Sequence, residues 1–234
     1  PKGMGVKELI VPGLLMAAPF LLIAKQPDLG TAIIIWMIFW SMVLIVKVKL
    51  RTVIAFVVSF ALAAPFLWMA LKDYQKARLS SFLNPGADPL GSGYHVLQSK
   101  IAIGSGGLIG KGFMEGTQGN LMFLPEHHTD FIFAALAEEW GLLGSVILLA
   151  LFMTLVLSGI NTANNSKDRF GFLLAFGVTA MFFWQIVINL GMVSGMLPVV
   201  GVPLPFISYG GSFLITSMIS AGLLLNVHMR RFIF

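Results

Sequence analysis

The 234 residues include no cysteine, so disulfides are excluded and the redox compartment leaves no mark on the sequence. Charge is nearly as scarce: Asp, Glu, Lys and Arg make up 11% of the chain, against 57% hydrophobic residues. With a mean hydropathy of +0.90, that balance excludes a soluble globular domain and identifies an integral membrane protein. The formal charge of +5 does not indicate nucleic acid, because the basic residues are scattered among apolar runs and collect in short loops, as membrane topology requires. Common catalytic signatures are missing too. There is no HExxH, no CxxC and no Ser-His-Asp order, and the run IGSGGLIGKG is not a Walker loop. Ser105 stands where that loop needs glycine, and Gly112 follows Lys111 where Ser or Thr should. PKGMGVKE lacks the layout of a signal peptide, and Pro1 stands where an initiator Met would, so a fragment or processed chain is expected.

What the chain does have is six apolar runs, at residues 9–24, 30–46, 53–71, 141–160, 170–190 and 212–227. Each is roughly long enough to cross about 30 Å of hydrocarbon as a helix. The expected fold is therefore all-α: one polytopic transmembrane helical bundle, kinked at Pro12, Pro19 and Pro65, with an even number of spans and both ends on one side. Lys2, Lys7, Lys47, Lys49, Arg51, Lys167, Arg169, Arg230 and Arg231 all fall on that side, which the positive-inside rule makes cytoplasmic. Glu8 and Asp168 are the only acids there, so Asp28 and Asp130 are placed at the outer surface.

Three stretches then face outward. In AKQPDLG, Asp28 reads as a helix cap or as an intramembrane partner for a basic residue of another span. The excursion 72–129 is too long for an idle connection. It carries the turn chemistry of Asn84-Pro85-Gly86 and Asp88-Pro89, and an amphipathic stretch from Tyr94 to Ile103 expected to form a short helix in the interface. Its glycine-rich run is expected to be a flexible loop, with phosphate cradling as the weaker reading. Lys100, Lys111 and Arg78 are its available counter-charges for an anion. The third stretch, GMVSGMLPVVGVPLPFISYGGS, holds too many prolines and glycines for one regular helix. Irregular backbone at membrane depth survives only where protein or a wet cavity satisfies it, so a broken or re-entrant segment is expected, with Ser208 and Tyr209 as its polar tips.

The densest chemistry lies in LPEHHTDFIFAALAEEW, residues 124–140. Ionisable groups at the lip of a span ask for water or a partner. Thr129 or Asp130 could N-cap the following helix, and Asp130 could equally be a functional carboxylate. Glu126, His127, His128 and Asp130 offer metal-ligand chemistry, but neighbouring side chains point apart, so no metal is assigned. Glu138, eight residues beyond Asp130, returns to nearly the same helical face and is expected to share its cavity.

Three motifs, QPDLGTA at 26–32, the run from DPLGSGYHVLQSKIAIGSGGLIGKG through LPEHHTDFIFAALAEEWG at 88–141, and LPVVGVPLPFISYGGS at 197–212, together resemble the SEDS family of bacterial shape, elongation, division and sporulation proteins. The resemblance covers nearly the whole chain and is strongest to the rod-shape members. It implies a peptidoglycan glycosyltransferase of the bacterial cytoplasmic membrane, working on lipid II outside the membrane beside a class B penicillin-binding protein. It also implies a bundle of about ten spans, the missing ones preceding Pro1, and an essential Asp in HTDFIFA, here Asp130. A sugar hydroxyl attacking an anomeric carbon with a lipid-diphosphate leaving group calls for one base and some positive charge. Partial burial raises a carboxylate's pKa toward that task, which suits Asp130 as general base. Lys100, Lys111 and Arg78, with or without a divalent cation, would stabilise the diphosphate, and His95, Gln98 and Tyr209 would bond sugar or phosphate. The alternatives are a flippase for the lipid-linked precursor, or a scaffold for the synthase partner. The gathering of acidic and glycine-rich motifs on one side, without an inverted repeat, speaks for surface chemistry over alternating access.

Overall fold

The computed structural model describes residues 5–26, 28–46, 48–83, 91–117 and 128–230. Within them the secondary structure is helical. A 3-10 turn at Val6–Leu9 leads into α1 (Ile10–Lys25), followed by α2 (Leu29–Ile45), α3 (Leu50–Ala70), α4 (Asp73–Leu83) and α5 (Ser92–Ser105). Three long helices complete the chain: α6 (Ile132–Asn164), α7 (Arg169–Val193) and α8 (Gly211–Arg230). Residues Lys7–Lys25, α6, α7 and α8 are long and apolar enough to cross a membrane, and α2 is a shorter apolar helix of 17 residues. These helices carry apolar side chains all round, as lipid-facing elements do. Pro19 and Pro65 lie inside α1 and α3, whereas Pro12 falls in the first turn of α1, where its missing N–H costs little.

α7 is the centre of the bundle. It packs against α6, α2 and α8, and 44% of its apolar window is buried, against 6% for the segment containing α1. The interior is built from small and branched side chains that let helices approach. Ala163, Ala175, Phe182, Leu224 and Val227 join α6, α7 and α8, and Ile34, Ile188 and Val202 join α2, α7 and the segment after α7. Asp28 is the N-cap of α2, its Oδ1 accepting from Thr31 N at 3.0 Å.

The structure corrects the sequence reading of α6 in two respects. The helix begins at Ile132, nine residues before the apolar run, and its N-cap is Phe131 rather than Thr129 or Asp130. Its 33 residues are divided by a break at Gly141, and the part beyond the break alone would span about 35 Å at 1.5 Å per residue, enough for about 30 Å of hydrocarbon, so the turns before it are not needed to cross the apolar layer. The composition change near residue 141 marks a break inside one element, because Gly141 has φ 64° and ψ −159°.

Candidate active site

Asp130 sits in the turn just before α6, and its backbone is held by the end of α7 and the non-helical segment beyond it. Three consecutive carbonyls of the turn each accept a hydrogen bond from that side. Tyr209 N donates to His128 O at 2.9 Å, Ser208 Oγ to Thr129 O at 2.7 Å, and Asn189 Nδ2 to Asp130 O at 2.8 Å. The same Asn189 Nδ2 donates to Val202 O at 2.7 Å, and Ser208 Oγ accepts from Leu204 N at 2.6 Å. Residues 194–210 are thus non-helical but hydrogen-bonded into the bundle, the condition irregular backbone must meet at membrane depth. Phe206 adopts φ 63°, which for a bulky residue costs on the order of 1–3 kcal/mol. Its ring packs against Phe182 at 5.4 Å, so packing holds the strained residue in place.

The half-buried Asp130 side chain turns toward Gly201: a Cβ added there would lie 3.2 Å from Asp130 Oδ2. Residues 200–202 also receive the N-terminal end of α2, since a Cβ on Gly30 would meet Val200 O at 2.6 Å. Asp28 therefore caps a helix whose first turn abuts the segment facing Asp130.

On the other side of that segment lies α5. Its Ser99 is buried and donates to Val193 O at 2.7 Å, and Ala102 packs with Phe131, Ala134, Met192 and Val193. The Tyr94 to Ile103 stretch is therefore helical as expected, and one face is buried against α6 and α7. His95 sets its ring 6.1 Å from that of Phe131 in a tilted arrangement, and its buried Nδ1 has no partner among the described residues. Arg78 of α4 and Lys100 of α5 meet in a cavity of about 80 Å³ with Ser81, Gly195, Pro198 and Val199. Neither cation pairs with a carboxylate among the described residues. Val199 lines this cavity and Gly201 faces Asp130, two residues that no more than about 7 Å of backbone can separate. Gln98, half-buried, lies on the same helix as Lys100.

The remaining site residues are placed differently. Lys111 Nζ forms an ion pair with Glu138 Oε1 at 2.6 Å, the carboxylate 1% exposed and the lysine 28%. Thr117 N and Oγ1 donate to the same oxygen at 2.9 and 2.8 Å. The glycine-rich run, expected to be flexible, is a strap across the break in α6. Lys111 N and Gly112 N donate to the carbonyls of Glu138 and Glu139 at 3.0 and 3.1 Å, while Leu142 N and Leu143 N donate to Gly107 O and Leu108 O at 2.9 and 3.1 Å. The four backbone groups released where the helix breaks are satisfied by the strap, as buried amides must be. Only glycine fits at the crossing: Gly110 has φ 86°, and a Cβ on it would overlap the Glu139 carbonyl.

A cavity of about 260 Å³ opens beside Glu138, lined also by His128, Glu139, Trp140, Ile132 and Ile207. Glu138 thus shares its surroundings with His128, while Asp130 faces Gly201. Tyr209 is 81% exposed, so only its backbone takes part in the turn. Glu126 and His127 lie outside the described residues, and the described residues hold no group of three or more metal-ligand side chains. Asn189 and Thr117 escaped the sequence reading. Gln185 and Asn189, four residues apart in an apolar run, are the signal that would have found an inward polar face on α7.

The family profile described as "Cell cycle protein" (FtsW, RodA, SpoVE) matches residues 3–232. The chain is 50% identical over 218 residues to the "Peptidoglycan glycosyltransferase MrdB" of Escherichia coli K12, covering 93% of this chain and 59% of that protein. It is 46% identical over 175 residues to the "Peptidoglycan glycosyltransferase RodA" of Treponema pallidum, covering 74% and 40%. To the "Stage V sporulation protein E" of Bacillus subtilis it is 41% identical, covering 93% and 59%. Among solved structures, it superposes with TM-score 0.81 at 33% identity on a chain from "Structural coordination of polymerization and crosslinking by a peptidoglycan synthase complex", covering 97% of this chain and 63% of that one. With the rod shape determining protein RodA of Thermus thermophilus the TM-score is 0.63 at 28% identity, covering 97% and 58%. The chain thus spans about three fifths of the length of the relatives from E. coli and B. subtilis.

Proposed function

Because this chain belongs to the cell cycle protein family of FtsW, RodA and SpoVE, we propose that it carries the polymerising site of a peptidoglycan glycosyltransferase acting on lipid II. The observation that supports this most is the joint placement of a carboxylate and two cations about one short segment. Asp130 lies on the side of Gly201, and Arg78 and Lys100 lie in the cavity at Val199.

In this mechanism a sugar hydroxyl of one substrate attacks the anomeric carbon of the other. Its proton passes to the Asp130 carboxylate as the new C–O bond forms, and the anomeric C–O bond to the diphosphate breaks. The lipid diphosphate leaves with the electron pair, against Arg78 and Lys100, whose positive charge stabilises it. One displacement inverts the anomeric centre. His95 and Gln98 lie on the same helix as Lys100 but outside the lining of its cavity, and in this scheme they bond sugar or phosphate beside it. Lys111 has no such part, since Glu138 holds it. The backbone bonds to carbonyls 128, 129 and 130 fix where the base stands, the kind of positioning on which effective molarity depends.

In the cell this places the protein in the bacterial cytoplasmic membrane, with Lys7, Lys49, Arg51, Lys167, Arg169 and Arg230 at the cytoplasmic face and Asp130 at the outer rim. The likeness to a chain of a peptidoglycan synthase complex supports a crosslinking partner of the class B penicillin-binding type. The test is glycan synthesis from lipid II by the purified full-length protein. Asp130→Asn is expected to lower the rate by about 10²- to 10⁴-fold with the fold intact. Arg78→Gln and Lys100→Gln are each expected to lower kcat more than they raise KM. Unchanged synthesis by a folded Asp130→Asn protein removes the base from the scheme.

A further inference from the structure

The cation side of the candidate site is built on the last turn of α7. Gly195 N donates to Met192 O at 3.1 Å, and Met196 N and Leu197 N both donate to Gly191 O, at 2.7 and 2.9 Å. The chain thus folds back over the carbonyl end of the helix, as it does at glycine-capped C-termini. Gly195 takes φ 70° there, a conformation open to it because it has no side chain. α5 is fastened to the same turn one residue before Lys100, where Ser99 Oγ donates to Val193 O at 2.7 Å. The Lys100 side chain then lies across the bare α-carbon of Gly195: an added Cβ would overlap Lys100 Cε and stand 2.5 Å from its Nζ and 2.9 Å from Val96 Cγ1.

What a methyl at this position strikes first is therefore the charged end of a flexible side chain. Non-bonded heavy atoms approach to about 3.5 Å, so Nζ would have to retreat by roughly 1 Å. The carbonyl end of α7 carries partial negative charge, which favours an ammonium resting on it. Lys100 has no carboxylate partner among the described residues to draw it elsewhere. Gly195 and Lys100 line the same cavity of about 80 Å³ as Arg78, so the glycine governs which part of that cavity the ammonium occupies. Six residues on, Gly201 at φ 75° stands against Asp130 Oδ2 in the same manner. One segment thus presents a left-handed glycine to each charge of the proposed site, Gly195 to the cation and Gly201 to the carboxylate.

We propose that Gly195 is a positioning residue for glycosyl transfer: its missing side chain seats the Lys100 ammonium on the end of α7, where it meets the diphosphate leaving group. The inference rests on the polymerising reading of this site and adds to it the group that sets where the charge stands. The glycine has two duties here, backbone and room, and they can be separated. A left-handed φ costs any other L residue about 1–2 kcal/mol whatever surrounds it, whereas the collision with Nζ exists only while Lys100 is present.

The test is a double-mutant cycle on glycan synthesis from lipid II by the purified full-length protein, with each rate divided by the fraction of protein folded. Gly195→Ala alone is expected to lower kcat by about 10²-fold, the scale of a 1 Å misplacement, and to change KM less. In the Lys100→Ala background the same substitution should lower kcat by no more than about 2-fold, the tolerance within which uncoupled changes add. The backbone strain and the Val96 contact persist there, but no ammonium is left to displace. Gly195→Asn, a residue that visits left-handed backbone more readily, repeats the cycle should the alanine variant fold poorly. Gly201→Ala, which faces Asp130, is expected to keep its effect in the Lys100→Ala background. A Gly195→Ala protein that polymerises at the parent rate, or is slowed by the same factor with and without Lys100, overturns the inference and leaves the polymerising reading standing. The inference falls too if both glycine effects vanish together in the Lys100→Ala background, since Gly195 then has no particular tie to Lys100. A folded Lys100→Ala protein that polymerises at the parent rate removes the cation from the polymerising reading, and the role of Gly195 with it.

Discussion

Replacing Lys111 by Met tests the strap that crosses α6. The Glu138 carboxylate is 1% exposed and receives Lys111 Nζ, Thr117 N and Thr117 Oγ1 on one oxygen. Removing the ammonium leaves a buried charge held by neutral donors, among them Thr117 N and Oγ1 and, at 3.5 Å, Ser105 Oγ, and breaking a buried pair in this way costs about 3–5 kcal/mol. Lys111 is 28% exposed, so water can enter as it departs, and the lower figure of about 3 kcal/mol is the better expectation. The opposite change, Glu138→Gln, should cost less. The amide keeps an oxygen for Thr117, and the freed ammonium reaches solvent, so about 1–2 kcal/mol is expected, the range of a charge-assisted bond reduced to a neutral one. The more exposed partner is therefore the more expensive one to remove. The assay is thermal unfolding of the full-length protein in one detergent at one scan rate, followed by tryptophan fluorescence. At about 2–4 °C per kcal/mol, Lys111→Met should unfold about 6–12 °C below the parent. The double variant should lie above the sum of the singles, with a coupling of about 1–2 kcal/mol. A Lys111→Met protein that unfolds with the parent, or singles that add, would refute the buried pair.

Two more substitutions probe the frame around the candidate active site. Asn189→Ala removes one donor from both Asp130 O and Val202 O, and leaving two buried acceptors without it should cost about 2–4 kcal/mol. Because the loss loosens the proposed base and spares the proposed cations, glycan synthesis by the full-length protein at saturating lipid II should fall more than the fraction of protein unfolded, with KM little changed; a fall in strict proportion to unfolding would reduce Asn189 to a structural role. Gly110→Ala should destabilise by more than about 1 kcal/mol, since φ is 86° and its methyl meets the Glu139 carbonyl. Hydrogen exchange of Leu142 and Leu143 amides should accelerate in that variant, and unchanged exchange would show that the strap tolerates the methyl.

Much of the fold was legible because a bilayer imposes coarse rules. Length and apolarity locate helices at six runs, and Asp28 before Leu29-Gly30-Thr31 has the spacing of a cap. The prolines and glycines of 194–210 announce irregular backbone. Where the sequence reading failed, tertiary bonds had replaced local ones. Thr129 and Asp130 look like helix caps, yet their carbonyls are bonded to Ser208 and Asn189, and the turn they form leaves the cap position to Phe131. The boundary at residue 141 is where apolarity begins, but helix continuity depends on backbone partners, and those come from Gly107, Leu108, Lys111 and Gly112. No periodicity encodes a pairing across thirty residues.

The same reasoning explains why the irregular segments gather at one end. Each break in a helix near the membrane releases amides and carbonyls that lipid cannot satisfy. The strap supplies them at Gly141, while Asn189, Ser208 and Tyr209 join the turn at Asp130 to residues 202–209. Asp130 stands between the two, one residue before the N-cap of α6. A carboxylate in a free loop would have more backbone freedom and less positional definition. Here two sets of cross-bonds hold the helix beyond it and the turn that carries it, so the position of the proposed base is set by groups that have no part in the proposed chemistry.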